Sequence, residues 1–100
     1  MWDILKSTRA NVIMNIGYED FATIEVEKMI KTNNVDHYVI NIDIFDVYET
    51  SVDIYKLNEL EKALEIIKED IEFLYDNIPL YNQEELDEYL ESFQEKLNSL

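Results

Sequence analysis

The chain contains no cysteine, and among its 100 residues it has one glycine (Gly17), one proline (Pro79) and one histidine (His37). Without cysteine there is no disulfide, no thiolate nucleophile and no cysteine-ligated zinc. A single glycine cannot build a glycine-rich phosphate loop. His37 follows a predicted turn, so we expect a surface residue rather than a general base. These absences predict no catalytic residues, no cofactor and no metal site, although an enzyme built from carboxylates and tyrosines alone stays an alternative.

Basic residues are also scarce, with 8 lysines and arginines against 23 acids and a net charge of −15. Nucleic acids and anionic membranes are polyanions, so both are disfavoured as direct partners. The charge predicts a basic protein or nucleoprotein complex as the partner, whereas the simpler interpretation is that acidity serves solubility. No apolar run is long enough for a signal peptide or a membrane span, which predicts a cytoplasmic location.

The first half of the chain alternates between apolar and polar residues with the period of half-buried strands. Residues 10–16 and 22–26 show this pattern on either side of a turn predicted at 17–20. Residues 38–44 are rich in β-branched side chains and predict a further strand after a turn at 33–34. That turn would place Ile24 and Val26 on the same face of the sheet as Ile40, Ile42 and Ile44.

Three shorter segments of the first half leave alternatives open. The alternation slips at residues 45–47, which predicts a bulge or a turn. Val52 and Ile54 are consistent with a fourth short strand. Residues 1–8 fit either a short helix or an edge strand.

The second half has the 3.6-residue period of two amphipathic helices. The first is predicted from about residue 58 to 77, ends before Pro79 and has apolar residues at Leu57, Leu60, Leu64, Ile67, Ile71, Leu74 and Ile78. Asn82 and Glu85 have the spacing of a capping box that starts the second helix. Its apolar face consists of Leu86, Tyr89, Leu90, Phe93 and Leu97. The short connection at 78–81 implies an antiparallel helical hairpin.

The sequence therefore predicts an α+β fold in which an antiparallel sheet of three to four strands is followed by a C-terminal antiparallel helical hairpin. Residues 1–100 are expected to form a single domain, with the sheet at about 10–56 and the hairpin at about 57–98.

Acidic residues concentrate on the predicted helices, because residues 51–100 hold 14 acids and residues 1–50 hold nine. The first acidic stripe follows helical spacing and comprises Glu61, Glu65, Glu69, Glu72 and Asp76. The second acidic stripe, on the next helix, comprises Glu84, Glu88, Glu91 and Glu95. At about 100° per residue each stripe falls in an arc of about 80° or less, away from the apolar residues. These nine residues are the predicted partner-binding site, although an amphipathic helix also places its acids in solvent without any function.

Two apolar residues, Ile66 and Phe73, fall outside the main stripe of the first helix. They are predicted to pack against the second helix, the alternative being an exposed anchor for a partner. Several tyrosines suit a mixed acidic and aromatic interface, namely Tyr18, Tyr48, Tyr55, Tyr75, Tyr81 and Tyr89.

In size, composition and the placement of its two acidic stripes, the chain resembles phage-encoded DNA-mimic inhibitors of the anti-restriction and anti-CRISPR type. The resemblance implies an inhibitor that docks carboxylates in the basic groove of a host nuclease or nucleic-acid-binding complex. These families share no common fold, so the resemblance transfers no individual residue. The alternative hypothesis is a structural or adaptor module, with a homo-oligomer formed through the helical hairpin or an open sheet edge.

Overall fold

The structure, a computed structural model, describes residues 1–29 and 36–100. These residues form five antiparallel strands that lie in chain order in one sheet. The strands are β1 (Trp2–Ile4), β2 (Val12–Tyr18), β3 (Ala22–Met29), β4 (His37–Ile44) and β5 (Tyr48–Ile54). Helices α1 (Leu57–Asn77) and α2 (Gln83–Asn98) follow, joined by a 3-10 turn at Ile78–Leu80. The predicted α+β class, a sheet followed by a helical hairpin, is confirmed.

The sheet is larger at its start than the sequence predicted. Strand β1 is an edge strand that pairs Asp3 with Gly17, so the sheet begins at Trp2 rather than near residue 10. Three residues are too short a segment for alternation to be recognised. The turn predicted at 17–20 is shifted, because β2 continues to Tyr18 and the turn includes Glu19 at a φ of 50°. Gly17 serves close packing, since a Cβ there would lie 3.2 Å from the Leu5 side chain.

The prediction that these β3 and β4 residues share one face of the sheet is confirmed. Ile24 lies opposite Ile42, and Val26 lies opposite Ile40, so these residues share one face of the sheet. The turn predicted at 33–34 lies outside the described residues. The slip at residues 45–47 is a turn, in which Asp46 has a φ of 61°.

The helices cover this apolar face, and the core lies between the two layers. From the helices the core takes Leu60, Ala63, Ile67, Ile71, Leu74, Leu90, Phe93 and Leu97. Leu57, predicted to be part of the apolar stripe of α1, is exposed instead because it begins the helix beyond the edge of the core. The C-terminal half of α1 reaches the far edge of the sheet, where Tyr75 packs on Tyr18 and Phe21.

Helix α2 begins with the capping box that the sequence predicted. The Asn82 Oδ1 accepts a hydrogen bond from the Glu85 N–H at 2.8 Å, and the Glu85 Oε1 accepts one from the Asn82 N–H at 3.3 Å. Both contacts pair groups that a helix start otherwise leaves unpaired. Within the described residues, no helix is both long enough and apolar enough to cross a membrane.

Candidate acidic interaction surface

The first acidic stripe lies along α1, on the side opposite its buried residues. All five of its side chains are exposed. The 3.6-residue period explains this placement, because Leu60, Ile67 and Leu74 turn towards the sheet and fix the rotation of the helix about its axis. The five carboxylates therefore form a line on the outer side of α1.

The second acidic stripe lies along α2 in the same way. Its four side chains are exposed, and the opposite side of the helix buries Leu90, Phe93 and Leu97. Both helices turn their buried sides to the sheet and to each other. The two stripes therefore lie on the outer surface of the helix layer.

No basic group in the described part of the chain lies within 4 Å of any of these nine carboxylates. The ion pairs of the structure use other acids, namely Glu19, Glu25, Glu27, Asp36, Asp53 and Asp70. Glu72 accepts a hydrogen bond from the Trp2 indole Nε1 at 2.8 Å, but that donor is neutral and leaves the negative charge uncompensated. The outer surface of the helix layer is thus a region of unneutralised charge.

The phenol of Tyr18 lies close to the end of the first acidic stripe. Loss of solvation raises the pKa of Tyr18 above its usual value, and the negative charges of Glu72 and Asp76 raise this pKa further. Nearby carboxylates disfavour an additional negative charge on the phenolate.

Helices α1 and α2 are joined by a polar contact that the sequence pattern did not reveal. Asp70 is buried on α1, where its Oδ1 accepts a hydrogen bond from the Tyr89 hydroxyl at 2.7 Å. Its Oδ2 lies 2.8 Å from the Lys96 Nζ. Burial, followed by the hydrogen bond to Asp70, raises the pKa of Tyr89 well above its usual value. Asp70 differs from the stripe acids because its position on α1 faces α2.

Three aromatic rings, Phe73, Tyr81 and Tyr89, form what we call the aromatic cluster at the turn between the helices. The Phe73 and Tyr89 rings are stacked with centroids 5.4 Å apart, and the Tyr81 ring lies 6.2 Å from Tyr89. Phe73 thus packs against α2 as predicted, yet 42% of the residue stays exposed. Ile66 is partly buried against the core.

The face of the sheet that the helices do not cover is what we call the open face. There Arg9 makes ion pairs with both Glu25 and Glu27, neighbours on the same side of β3. The Asn41 amide lies 3.4 Å from a carboxylate oxygen of each, and its Oδ1 accepts a hydrogen bond from Ser51 at 2.7 Å. The alternation of β3 predicted this face for Glu25 and Glu27, but nothing local linked them to Arg9.

His37 also lies on the open face, and it is buried rather than a surface residue as predicted. Its Nε2 is 2.7 Å from the Asp53 Oδ1, and its ring stacks on Tyr55 with a centroid distance of 4.7 Å. The prediction was wrong because β5 was expected only as a short strand. The full β5 brings Asp53 and the following Tyr55 beside the start of β4.

A shallow cleft of about 350 Å³ opens at the edge of the sheet beside β1 and β2. Ile4 is 91% exposed and Ile13 is 56% exposed, and both line this cleft with Met14 and Leu5. The segment after β1 leaves the sheet early, so the first half of β2 has no β1 partner. Apolar side chains and an open strand edge therefore coincide at this corner.

Across residues 1–29 and 36–100, no three histidine or carboxylate side chains are grouped so that they could hold a metal ion. Searches against family models, curated proteins and solved structures gave no match to this chain.

Proposed function

We propose that this protein is an acidic inhibitor that occupies the basic nucleic-acid-binding groove of a host defence nuclease or another nucleic-acid-binding complex. It acts by binding and not by catalysis, in the cytoplasm of the host cell. Its resemblance to phage-encoded DNA mimics suggests a phage origin. The partner-binding residues are the two acidic stripes.

The observation that supports this proposal is the state of the nine stripe carboxylates. All are exposed and none is paired with a basic group in the described residues, whereas the chain does pair acids elsewhere. Like charges one helical turn apart cost a helix about 0.2–0.5 kcal/mol per pair. This repulsion destabilises the isolated protein, and a cationic partner would relieve it by neutralising the carboxylates.

The dimensions of the first acidic stripe are also compatible with mimicry of a phosphate backbone. The helix rises about 22 Å between Glu61 and Asp76, since each residue adds about 1.5 Å. One DNA strand carries six or seven phosphates over roughly that distance. Five carboxylates on α1 and four on α2 approach this density of charge.

The proposal is tested by affinity capture from host lysate with mass spectrometry, at low and at physiological salt. The test variant is Glu61→Lys/Glu65→Lys/Glu69→Lys, which spares the contact between Glu72 and Trp2. The control variant is Asp3→Lys/Asp20→Lys/Glu49→Lys, at exposed acids outside the helices. Each exchange raises the charge by two, so both variants carry the same net charge of −9.

We expect the wild type and the control to capture one basic nucleic-acid-binding partner, with capture that weakens steeply as salt rises. The test variant should lose that partner. Capture that is indifferent to salt, or equal losses in both variants, would contradict a specific role for the stripes.

A second candidate function, an adaptor module that forms a homo-oligomer, is favoured by the corner at β1 and β2. Ile4 and Ile13 are exposed there beside an open strand edge, which can pair with another strand. Residues 1–18 contain one acid and two bases, so copies can meet there without the repulsion expected elsewhere.

Light scattering across a concentration series tests this candidate. An oligomer that Ile4→Asp dissociates, and that Leu80→Asp leaves intact, would support it, because Leu80 is exposed to a similar degree on the 3-10 turn. A monomer at the highest concentration would rule it out.

A further inference from the structure

The aromatic cluster has the features of a receptor for a cationic side chain. Phe73 and Tyr89 are nearly parallel, with 10° between their ring planes, and Tyr81 is tilted beside them. Most large apolar side chains of the helices are buried or half-buried, but Phe73 is 42% exposed. An aromatic ring in this position offers a polarisable surface to a ligand rather than only to the core.

Two carboxylates of the first acidic stripe lie near this exposed ring. Glu69 precedes Phe73 by four residues and Asp76 follows it by three, so both lie one helical turn away on the same side of α1. Both are exposed and belong to the first acidic stripe. Carboxylates beside an aromatic face are complementary to a group that is both cationic and planar.

A cation of the neighbouring helix α2, Lys96, is already paired with another acid. Lys96 pairs with the buried Asp70, and Asp70 also accepts the hydroxyl of Tyr89. This contact fixes the Tyr89 ring, which stacks on Phe73. The stacking surface is therefore held in place before a partner arrives.

On this basis, and resting on the proposed function, we propose that the aromatic cluster binds an arginine side chain of the partner. The guanidinium stacks on the Phe73 ring and donates hydrogen bonds to Glu69 or Asp76. Arginine suits this site better than lysine, because its planar guanidinium stacks on aromatic faces and bridges carboxylates. Arginine and aromatic residues are also enriched among the few contacts that dominate protein interfaces.

The test uses octa-arginine and octa-lysine peptides, which have equal charge, and measures their dissociation constants by fluorescence anisotropy at low salt. The variant is Phe73→Leu, which keeps an apolar side chain but removes the aromatic face. The control is Phe45→Leu, because Phe45 is 39% exposed at the turn between β4 and β5. Circular dichroism confirms that both variants are folded.

We expect the wild type to bind octa-arginine about two- to fivefold more tightly than octa-lysine through one such contact. Phe73→Leu should remove this preference and keep the binding that charge alone provides, and Phe45→Leu should retain the preference. A preference that persists in Phe73→Leu overturns this inference, and so does equal binding of the two peptides by the wild type. If the wild type binds neither peptide, the proposed function is contradicted together with this inference. If it binds both peptides equally, only this inference is contradicted.

Discussion

The outer surface of the helix layer and the open face of the sheet are both rich in acids, but they differ in whether those acids contact basic side chains. On the open face, Glu25 and Glu27 are paired with Arg9, and Asp53 lies against His37. On the helices, the nine stripe carboxylates are exposed, with no basic partner in the described residues. One protein thus contains acids that are paired within the fold and acids that have no basic partner among the described residues.

Composition alone does not distinguish acids that are paired within the fold from acids that remain available to a ligand, and this difference does. A carboxylate that loses solvation needs a partner, and Glu25 and Glu27 on the open face have partners in Arg9 and Asn41. A fully solvated carboxylate needs none, and it stays available to a ligand. The same substitution should therefore have opposite consequences on the two surfaces.

The largest effect is expected for Arg9→Met, which removes the cation of the open face. Glu27 is nearly buried and would lose its charged partner, so the free energy of unfolding should fall by about 1–3 kcal/mol. Urea denaturation followed by circular dichroism measures this change. Lys62→Met is the control, because Lys62 is exposed on α1, and it should change stability by less than about 0.5 kcal/mol. Equal effects in the two variants would show that the pairing at Arg9 is not stabilising.

A smaller effect, about 1–2 kcal/mol, is expected for Tyr89→Phe, because the buried Asp70 loses a hydrogen-bond donor. The pKa of Tyr89 is higher in the folded state than the value of about 10 in the unfolded chain. The folded state thus holds this proton more tightly, so the contribution of Tyr89 is complete below pH 10 and declines as the pH rises beyond it.

Urea denaturation at neutral pH and above pH 10 measures both parts of this prediction. The difference between wild type and Tyr89→Phe should shrink at the higher pH. Tyr81→Phe serves as the control, since the Tyr81 hydroxyl makes no hydrogen bond among the residues described. A difference that grows with pH would contradict the expected decline.

The smallest effect is expected for Glu61→Gln/Glu69→Gln, and its sign is opposite. This double variant removes three pairs of like charge on the first acidic stripe and leaves Glu65 between Lys62 and Lys68. Stability should rise by about 0.5–1 kcal/mol at low salt, and the gain should fade as salt screens the charges.

Glu25→Gln on the open face is the matched comparison, because it makes the same chemical change at a paired carboxylate. It should lower stability where the double variant raises it. If both lower stability, the stripe carboxylates have stabilising partners and the contrast between the two surfaces is lost.

Much of the fold could be predicted because the elements that form it have a clear period. The alternation in β3 and β4 predicted that Ile24 and Ile42 lie on the same face of the sheet, and helical spacing predicted α1 and α2 almost to their ends. Strand β1 could not be distinguished from a short helix, because three residues are too few for an alternation of apolar and polar side chains to be recognised. The turn after β2 was predicted to start two residues too early, because Glu19 adopts a positive φ that its residue type does not favour.

For the candidate site, spacing predicted which acids form each line, and the structure places all nine on exposed sides of α1 and α2. Their role as a binding surface stays a prediction. Spacing did not predict which acids are paired, since Arg9 contacts residues 16 and 18 positions away, and Tyr89 contacts Asp70 across the hairpin. The burial of His37 was missed for the same reason.

The sequence by itself determined the two helices, the central strands, the face that each of their side chains occupies and the two lines of negative charge, because these follow from periods of two and 3.6 residues along a single element. Only the tertiary structure decided which carboxylates meet a cation, which ring remains open beside them and which corner of the sheet stays uncovered. Those outcomes depend on how distant segments approach one another, and a local period contains no information about that approach.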